Sequence, residues 1–263
     1  MSIGFAQTQI HPTAIVHPNA QLADGVEVGP YSIIGEHVHI DSGTKIGAHA
    51  VIDGYTSIGK ENTIFTGAVL GSITQDKKYK GGKTYLKIGD RNNIREYVTV
   101  NPGTNDGSST VIGNDNLFMA YSHVAHDCVV KNFAVLANVA TLAGYVTVED
   151  HAIVGGLSAV HQFVRIGKLV IVGGCSKVVQ DIPPFVMVDG HPAKAFGLNS
   201  VGLERNGISK EERLEIKRAF KIIFRSKLSL SNATKKIEVE LKQDPAIVDV
   251  VTFLKSSERG ICK

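Results

Sequence analysis

The segment His123-Val124-Ala125-His126-Asp127-Cys128 holds the residue types with most to offer chemically. An imidazole beside a carboxylate can act as a general base whose charged form its neighbour supports. On its own such a pair is more often structural than catalytic, so its worth depends on what else comes near it. Two other features compete. Gly82-Lys83-Thr84 superficially suggests a phosphate loop, but the position that needs its first glycine is Lys77, and no strand-to-helix pattern surrounds it, so that reading is rejected. His123, His126 and His161 are three imidazoles that could share a metal ion.

The elements that must position these groups show a period of six. From Ile10, every sixth residue is Val16, Leu22, Val28, Ile34, Ile40, Ile46, Ile52, Ile58, Ile64 and Leu70; after a break at Asp76 and Gly82 come Ile88, Ile94 and Val100; after Asp106 the run continues from Ile112 to Val178. Of 29 positions 26 are apolar, and 21 of these are Ile or Val, which favours pleated strands. Two residues earlier sits a small or β-branched set, including Ala14, Val26, Ser32, Thr44, Ala68, Ala134 and Ser158, so both sets should face inward. Glycine often follows the large residue, as at Gly29, Gly47 and Gly155, and is expected where the chain turns a corner. Period six is neither helical nor strand-like. A coil of short flat strands, each ended by a turn and stacked so that equivalent side chains pack together, satisfies it.

This pattern resembles the hexapeptide-repeat left-handed parallel β-helix, in which three hexads make one 18-residue triangular coil. The left hand is implied by the family alone, since parallel crossovers otherwise run right-handed. The fold class is therefore expected to be mainly β, a left-handed parallel β-helix of hexapeptide repeats followed by a small α-helical C-terminal domain. Residues 1–190 form the first part, with an excursion loop at 72–87, and 191–263 form a linker and helical domain. In the tail, Ser209-Lys210-Glu211-Glu212 is a capping box, a second helix should cover about 233 to 242, and Asp244-Pro245 breaks it before a third helix. The stretch from Asp181 to Asn206 reads as irregular, and the second interruption, Asn101 to Thr110, reads as a loop without chemistry.

Composition limits the function classes. With 43% hydrophobic and 20% charged residues the chain is neither disordered nor membranous, and a net charge of +3 gives little reason to expect nucleic acid as a partner. Three cysteines without metal-type spacing argue for a reducing compartment. No run of about 18 apolar residues could form a transmembrane segment, and the first nine residues lack a leader pattern, so the location is expected to be cytoplasmic.

Stacking at 18 residues per coil brings His126, Gly144 and Gln162 into one column, with Asp127 and Tyr145 in the next and His161 alongside Gln162. His126 lies on neither inward set and should be exposed as a base. The columns, with Gln75-Asp76-Lys77-Lys78-Tyr79, Gly173-Gly174-Cys175, Asp181-Ile182-Pro183-Pro184 and Gly197-Leu198-Asn199-Ser200, extend the resemblance to nearly the whole chain. It is to the UDP-N-acetylglucosamine acyltransferases of lipid A biosynthesis. That resemblance implies transfer of an (R)-3-hydroxyacyl group from acyl carrier protein to position 3 of the glucosamine of UDP-N-acetylglucosamine, with no cofactor, by a homotrimer whose sites lie between subunits. It implies His126 as general base, Asp127 as its support and the Gly144 N–H at the oxyanion. Asp76, Lys78 and His123 match positions that hold the glucosamine and acyl portions. His161, Gln162, Asn199 and Arg205 match positions at the nucleotide, and Gly174 matches the position that limits acyl length. Tyr145 stands where the family commonly has histidine, Pro102 where it has arginine, and Val201 where it often has an acid; His191-Pro192 also departs from the usual pattern. Some members acylate a 3-amino sugar nucleotide, which leaves the acceptor atom open. Other readings are a later N-acyltransferase of the same pathway, which carries an extra domain before its repeats, a β-helical carbonic anhydrase using His123, His126 and His161, and a non-catalytic prism. The basic residues Lys217, Arg218, Lys221, Arg225 and Lys227 are either a solvated face or a docking site for the acidic carrier protein.

Overall fold

The computed structural model describes residues 7–263; residues 1–6, the start of the segment on which the missing leader was read, lie outside the described residues. Two-residue strands, occasionally four residues long, alternate with turns from Gln9 to Val178 and stack into three parallel sheets of a left-handed parallel β-helix. The register is the expected one, with His123 opposite Thr141 and Thr141 opposite Ala159, a step of 18 in the second face. It widens to 30 between Val69 and Thr99 and to 24 between Thr99 and His123, where the two interruptions leave the coil.

From Val26 onward both inward sets are buried, whereas the open first coil leaves Ile10 half exposed and Ala14, Val16, Ala20 and Leu22 partly so. Ile40, Ile52, Leu70, Leu136 and Leu142 are fully enclosed, as are Val26, Ser32, Ala50 and Ala134 from the smaller set. Each large aliphatic side chain so buried contributes roughly 2 kcal/mol of transfer free energy. Three asparagines replace the small residue in one column, and the Asn62, Asn92 and Asn116 amides form a ladder in which each Oδ1 accepts from the backbone N–H of the next coil.

The corners correct one expectation. Of the glycines that follow the large inward residues, Gly71 alone among the described residues is left-handed, with φ 81°, and Gly29, Gly47 and Gly155 are not. Instead every sixth residue from Asp115 to Cys175 is left-handed, with φ from 56° to 68°, and all eleven carry side chains. Stacking must hold a conformation that non-glycine residues rarely adopt. Gly29, Gly47 and Gly155 are there because the next coil passes too close; a β-carbon on Gly29 would lie 2.8 Å from Gly47 backbone. The corner just after His126 is Asp127, and the equivalents one and two coils on are Tyr145 and Phe163.

The segment expected to be irregular after Asp181 is ordered. Val186–Gly190 adds in parallel to the strand Ile171–Val172, and Ala193–Leu198 folds back antiparallel to it. The helical part then begins with a helix that hydrophobic periodicity did not reveal, α1 (Ser200–Arg205), followed by α2 (Lys210–Arg225), α3 (Leu230–Glu240) and α4 (Pro245–Lys255). The Ser209 capping box forms as expected, and α3 starts three residues earlier than expected because Ser229 caps it. These helices build a second core around Phe185, Leu203, Ile216, Ile247 and Phe253 at the end of the prism. The chain's end returns to the β-helix, where Cys262 N–H donates to Asp181 O at 3.0 Å.

Candidate functional site

His126 is placed by the strand His123–Val124, whose Val124 is buried in the core, and by the turn in which Asp127 takes φ 58°. That turn presents both side chains at the edge between the second and third faces. Asp127 Oδ2 lies 2.9 Å from His126 Nδ1 and accepts the Thr104 N–H at 3.0 Å. A carboxylate can only accept, so Nδ1 carries a proton and Nε2 of a neutral imidazole holds the free lone pair. Nε2 faces Asp76 Oδ2 at 3.5 Å, across a pocket of about 440 Å³.

His126 is not exposed, contrary to expectation. It is 8% accessible, because the two excursions and Tyr145 close over the corner. The Tyr145 ring stands edge-on to the imidazole at 5.3 Å and stacks on Phe163 at 4.9 Å. Partial burial, then the charges of Asp127 and Asp76, hold its phenol above the ordinary range. His123 lies in the same pocket, with Nδ1 2.6 Å from Thr99 Oγ1. Burial first, and secondarily the neighbouring His126, hold its pKa below the usual imidazole range against the raising effect of Thr99, so it is neutral at pH 7.

Gly144 fits the imidazole by lacking a side chain: a β-carbon there would overlap His126 Cε1 and Nε2. Among the described residues no acceptor meets its N–H, which leaves a donor beside the base. Cys128 is no nucleophile. It points into the core, donates to Ala143 O at 3.1 Å, and its thiol is pushed up to about 12 by burial.

One pocket thus brings together Asp76, Lys78, His123, His126, Gly144 and Gln162, with Asp127 behind them. His161, Gly174, Asn199 and Arg205 do not line it. His161 is exposed beside Arg259, at 3.3 Å, and Arg205 is exposed at the end of α1. Asn199 is buried and spent on capping, accepting from Gly202 N–H at 2.8 Å and donating to Leu169 O at 2.9 Å. Gly174 belongs to the edge between the first and second faces, since it follows the strand Ile171–Val172. Six residues at about 3.3 Å each put neighbouring edges of the prism at most roughly 20 Å apart.

Sequence reasoning missed three contributors. Gln75 and Lys77 line the pocket, and so does Asn101, whose buried Oδ1 has no partner among the described residues while its Nδ2 donates to Ser72 O at 3.1 Å. The supposedly inert second excursion is also corrected, because Thr104 bonds Asp127 and Asn105 Nδ2 reaches Tyr145 OH at 3.4 Å. Among the described residues no group of three or more His, Cys, Asp or Glu is arranged to hold a metal ion, and no helix is long and apolar enough to cross a membrane.

Comparison with known proteins decides which hexapeptide family this is. A family described as bacterial transferase hexapeptide (six repeats) matches residues 7–42, and one described as UDP N-acetylglucosamine O-acyltransferase, domain 2, matches residues 181–262. The acyl-[acyl-carrier-protein]--UDP-N-acetylglucosamine O-acyltransferase of Herminiimonas arsenicoxydans is 51% identical over 259 residues, spanning 97% of this chain and 99% of that protein. The chain belongs to the UDP-N-acetylglucosamine O-acyltransferase family. The equivalent protein of Thiobacillus denitrificans is 52% identical over 255 residues, with coverage of 97% and 99%. Among solved UDP-N-acetylglucosamine acyltransferases, that of Bacteroides fragilis superposes with a TM-score of 0.94 at 41% identity, covering 97% of this chain and all of that one. That of Moraxella catarrhalis gives 0.93 at 41% identity, with 97% and 99% covered. The chain is therefore an O-acyltransferase of this family with a left-handed β-helical body and a helical C-terminal part.

Proposed function

We propose that the pocket at His126 transfers an (R)-3-hydroxyacyl group from acyl carrier protein to the 3-position of the glucosamine of UDP-N-acetylglucosamine, the first step of lipid A biosynthesis. The observation that carries this reading is the buried His126–Asp127 pair with its free Nε2 beside the Gly144 N–H. Nε2 takes the proton of the 3-hydroxyl as that oxygen bonds to the thioester carbon. The carbonyl electron pair moves onto oxygen, where the Gly144 N–H donates to it. Asp127 supports the imidazolium meanwhile. When the carbonyl reforms, the C–S bond breaks and the carrier thiolate takes the proton back from His126. Asp76, Lys78 and His123 surround the base and hold the sugar and acyl groups.

His161, Gln162, Asn199 and Arg205 form the nucleotide end, with Asn199 acting through its cap on the helix that bears Arg205. Gly174 and His126 sit on different edges of one prism, so both serve one site when the His126 edge of one copy faces the Gly174 edge of another. This supports a homotrimer with sites between subunits. The exposed bases Lys217, Lys221 and Arg225 of α2 suit the acidic carrier protein, and these two substrates support a cytoplasmic location.

The test is an acyl-transfer assay with purified protein, UDP-N-acetylglucosamine and a series of 3-hydroxyacyl carrier proteins, read by mass spectrometry. One added hydroxyacyl chain is expected, and His126→Ala should lower turnover at least about 10³-fold with assembly intact. Product only with a 3-amino sugar nucleotide would change the acceptor atom. Retained turnover in His126→Ala would overturn the mechanism.

A further inference from the structure

The second excursion is pinned before it reaches the site. Gly107 N–H donates to Lys83 O at 2.8 Å, Lys83 N–H donates to Asp106 Oδ1 at 2.7 Å, and Tyr85 N–H donates to Ser108 O at 3.0 Å. Within the loop, Asn105 N–H donates to Ser108 Oγ at 3.0 Å. With Gly103 N–H donating to Tyr85 O at 3.3 Å, the backbone at Thr104 is held on both sides, partly by the stem of the first excursion, which also carries Asp76.

From that fixed position the Thr104 N–H donates to Asp127 Oδ2, the same oxygen that meets His126 Nδ1. Thr104 is 2% accessible, so no bulk water reaches this bond to replace it. A carboxylate bonded to histidine alone can rotate about its own side-chain torsions and take the imidazole with it. Held by two donors that share one oxygen, it cannot rotate without leaving the Thr104 N–H unsatisfied in a buried place, which costs about 1–3 kcal/mol. Asn105 extends the same grip to Tyr145, whose ring bounds the other side of His126.

We propose that the Asn101–Thr110 insertion is a positioning element of the reaction, in which the Thr104 N–H locks Asp127 so that His126 keeps its proton on Nδ1 and its lone pair on Nε2. Thr104 exchanges no proton and touches no substrate; it acts through Asp127. The inference rests on the reading of His126 and Asp127 as base and support.

Thr104→Pro removes the donor, and the preceding Gly103 accommodates the backbone restriction a proline imposes. In the full-length enzyme, turnover should fall about tenfold, as for loss of an outer partner of a catalytic group, with KM for UDP-N-acetylglucosamine within about threefold. In an Asp127→Ala background the same change should have no further effect, because the group it positions is gone. Gly103→Ala offers a second variant that alters no polar group: its β-carbon would overlap Ser108 and shift the Thr104 backbone, and its loss should likewise vanish without Asp127. Losses that multiply in full in the Asp127→Ala background, or a change confined to KM, overturn the proposal. Full turnover of Asp127→Ala by itself overturns the reading beneath it.

Discussion

Gly144→Ala is the sharpest probe of the site, because it adds one carbon at the point where two coils and the base converge. The new β-carbon would overlap His126 Cε1 and Nε2 and lie 3.0 Å from Nδ1. Atoms in ordinary contact sit about 3.5–4.0 Å apart, so the imidazole must retreat by roughly 1 Å. Its bond to Asp127, now 2.9 Å, then passes the limit of a hydrogen bond, and Nε2 moves off the line to the acceptor oxygen. Misplacement of about 1 Å lowers rates on the order of 10²-fold, and disturbance of the neighbouring N–H donor adds to this. Turnover should therefore fall about 10²- to 10³-fold, an increase of about 2.7–4 kcal/mol in the barrier. The assay is steady-state acyl transfer at saturating donor, with sedimentation to show unchanged assembly. Gly197→Ala, where among the described residues nothing lies within 4 Å of the added carbon, serves as the reference and should keep full turnover. If Gly144→Ala stays within about threefold of the parent, the imidazole does not work where the structure holds it.

His123 makes stability depend on pH. Its folded pKa lies below its unfolded value, so the unfolded chain binds the extra proton, and stability is lost as pH falls through and below about 6.5. The drop in Tm between pH 7.5 and 5.5 should shrink in His123→Asn; an equal or larger drop refutes the assignment. Cys128→Ala should keep at least about a third of parental turnover, since a thiol pushed up to about 12 is inert; a loss beyond about 100-fold would point to a covalent step. Ser209→Ala removes the hydroxyl that accepts the Glu212 N–H, leaving only the backbone half of the α2 capping box, and should lower unfolding free energy by about 1 kcal/mol by denaturant titration, with turnover unchanged.

The β-helix was legible because its stacking rule is written into the chain as a period. Twenty-six apolar residues at steps of six leave one arrangement in which all face inward, and once the coil length is 18 the columns follow without further information. That is how His126, Gly144 and Gln162 could be placed together although 36 residues separate the first from the last. Helix ends in the tail were legible for a similar reason, since Ser209 and Asp244 are local signals read by the next three residues.

The excursions obey no period, and so their contacts were invisible. Thr104 reaches Asp127 across 23 residues through a backbone N–H, a group every residue but proline possesses, so nothing in its type marks it. The burial of His126 was misjudged for the same reason: its own position faces outward, and what covers it comes from insertions whose path only the folded chain defines. The corner glycines were misread because sequence shows where glycine stands but not whether it is needed for a dihedral or for space. Repetition thus let sequence alone determine the scaffold and the columns of the base and its neighbours. Burial, tautomer and the support of Asp127 arise from unique long-range contacts, and tertiary structure decided them.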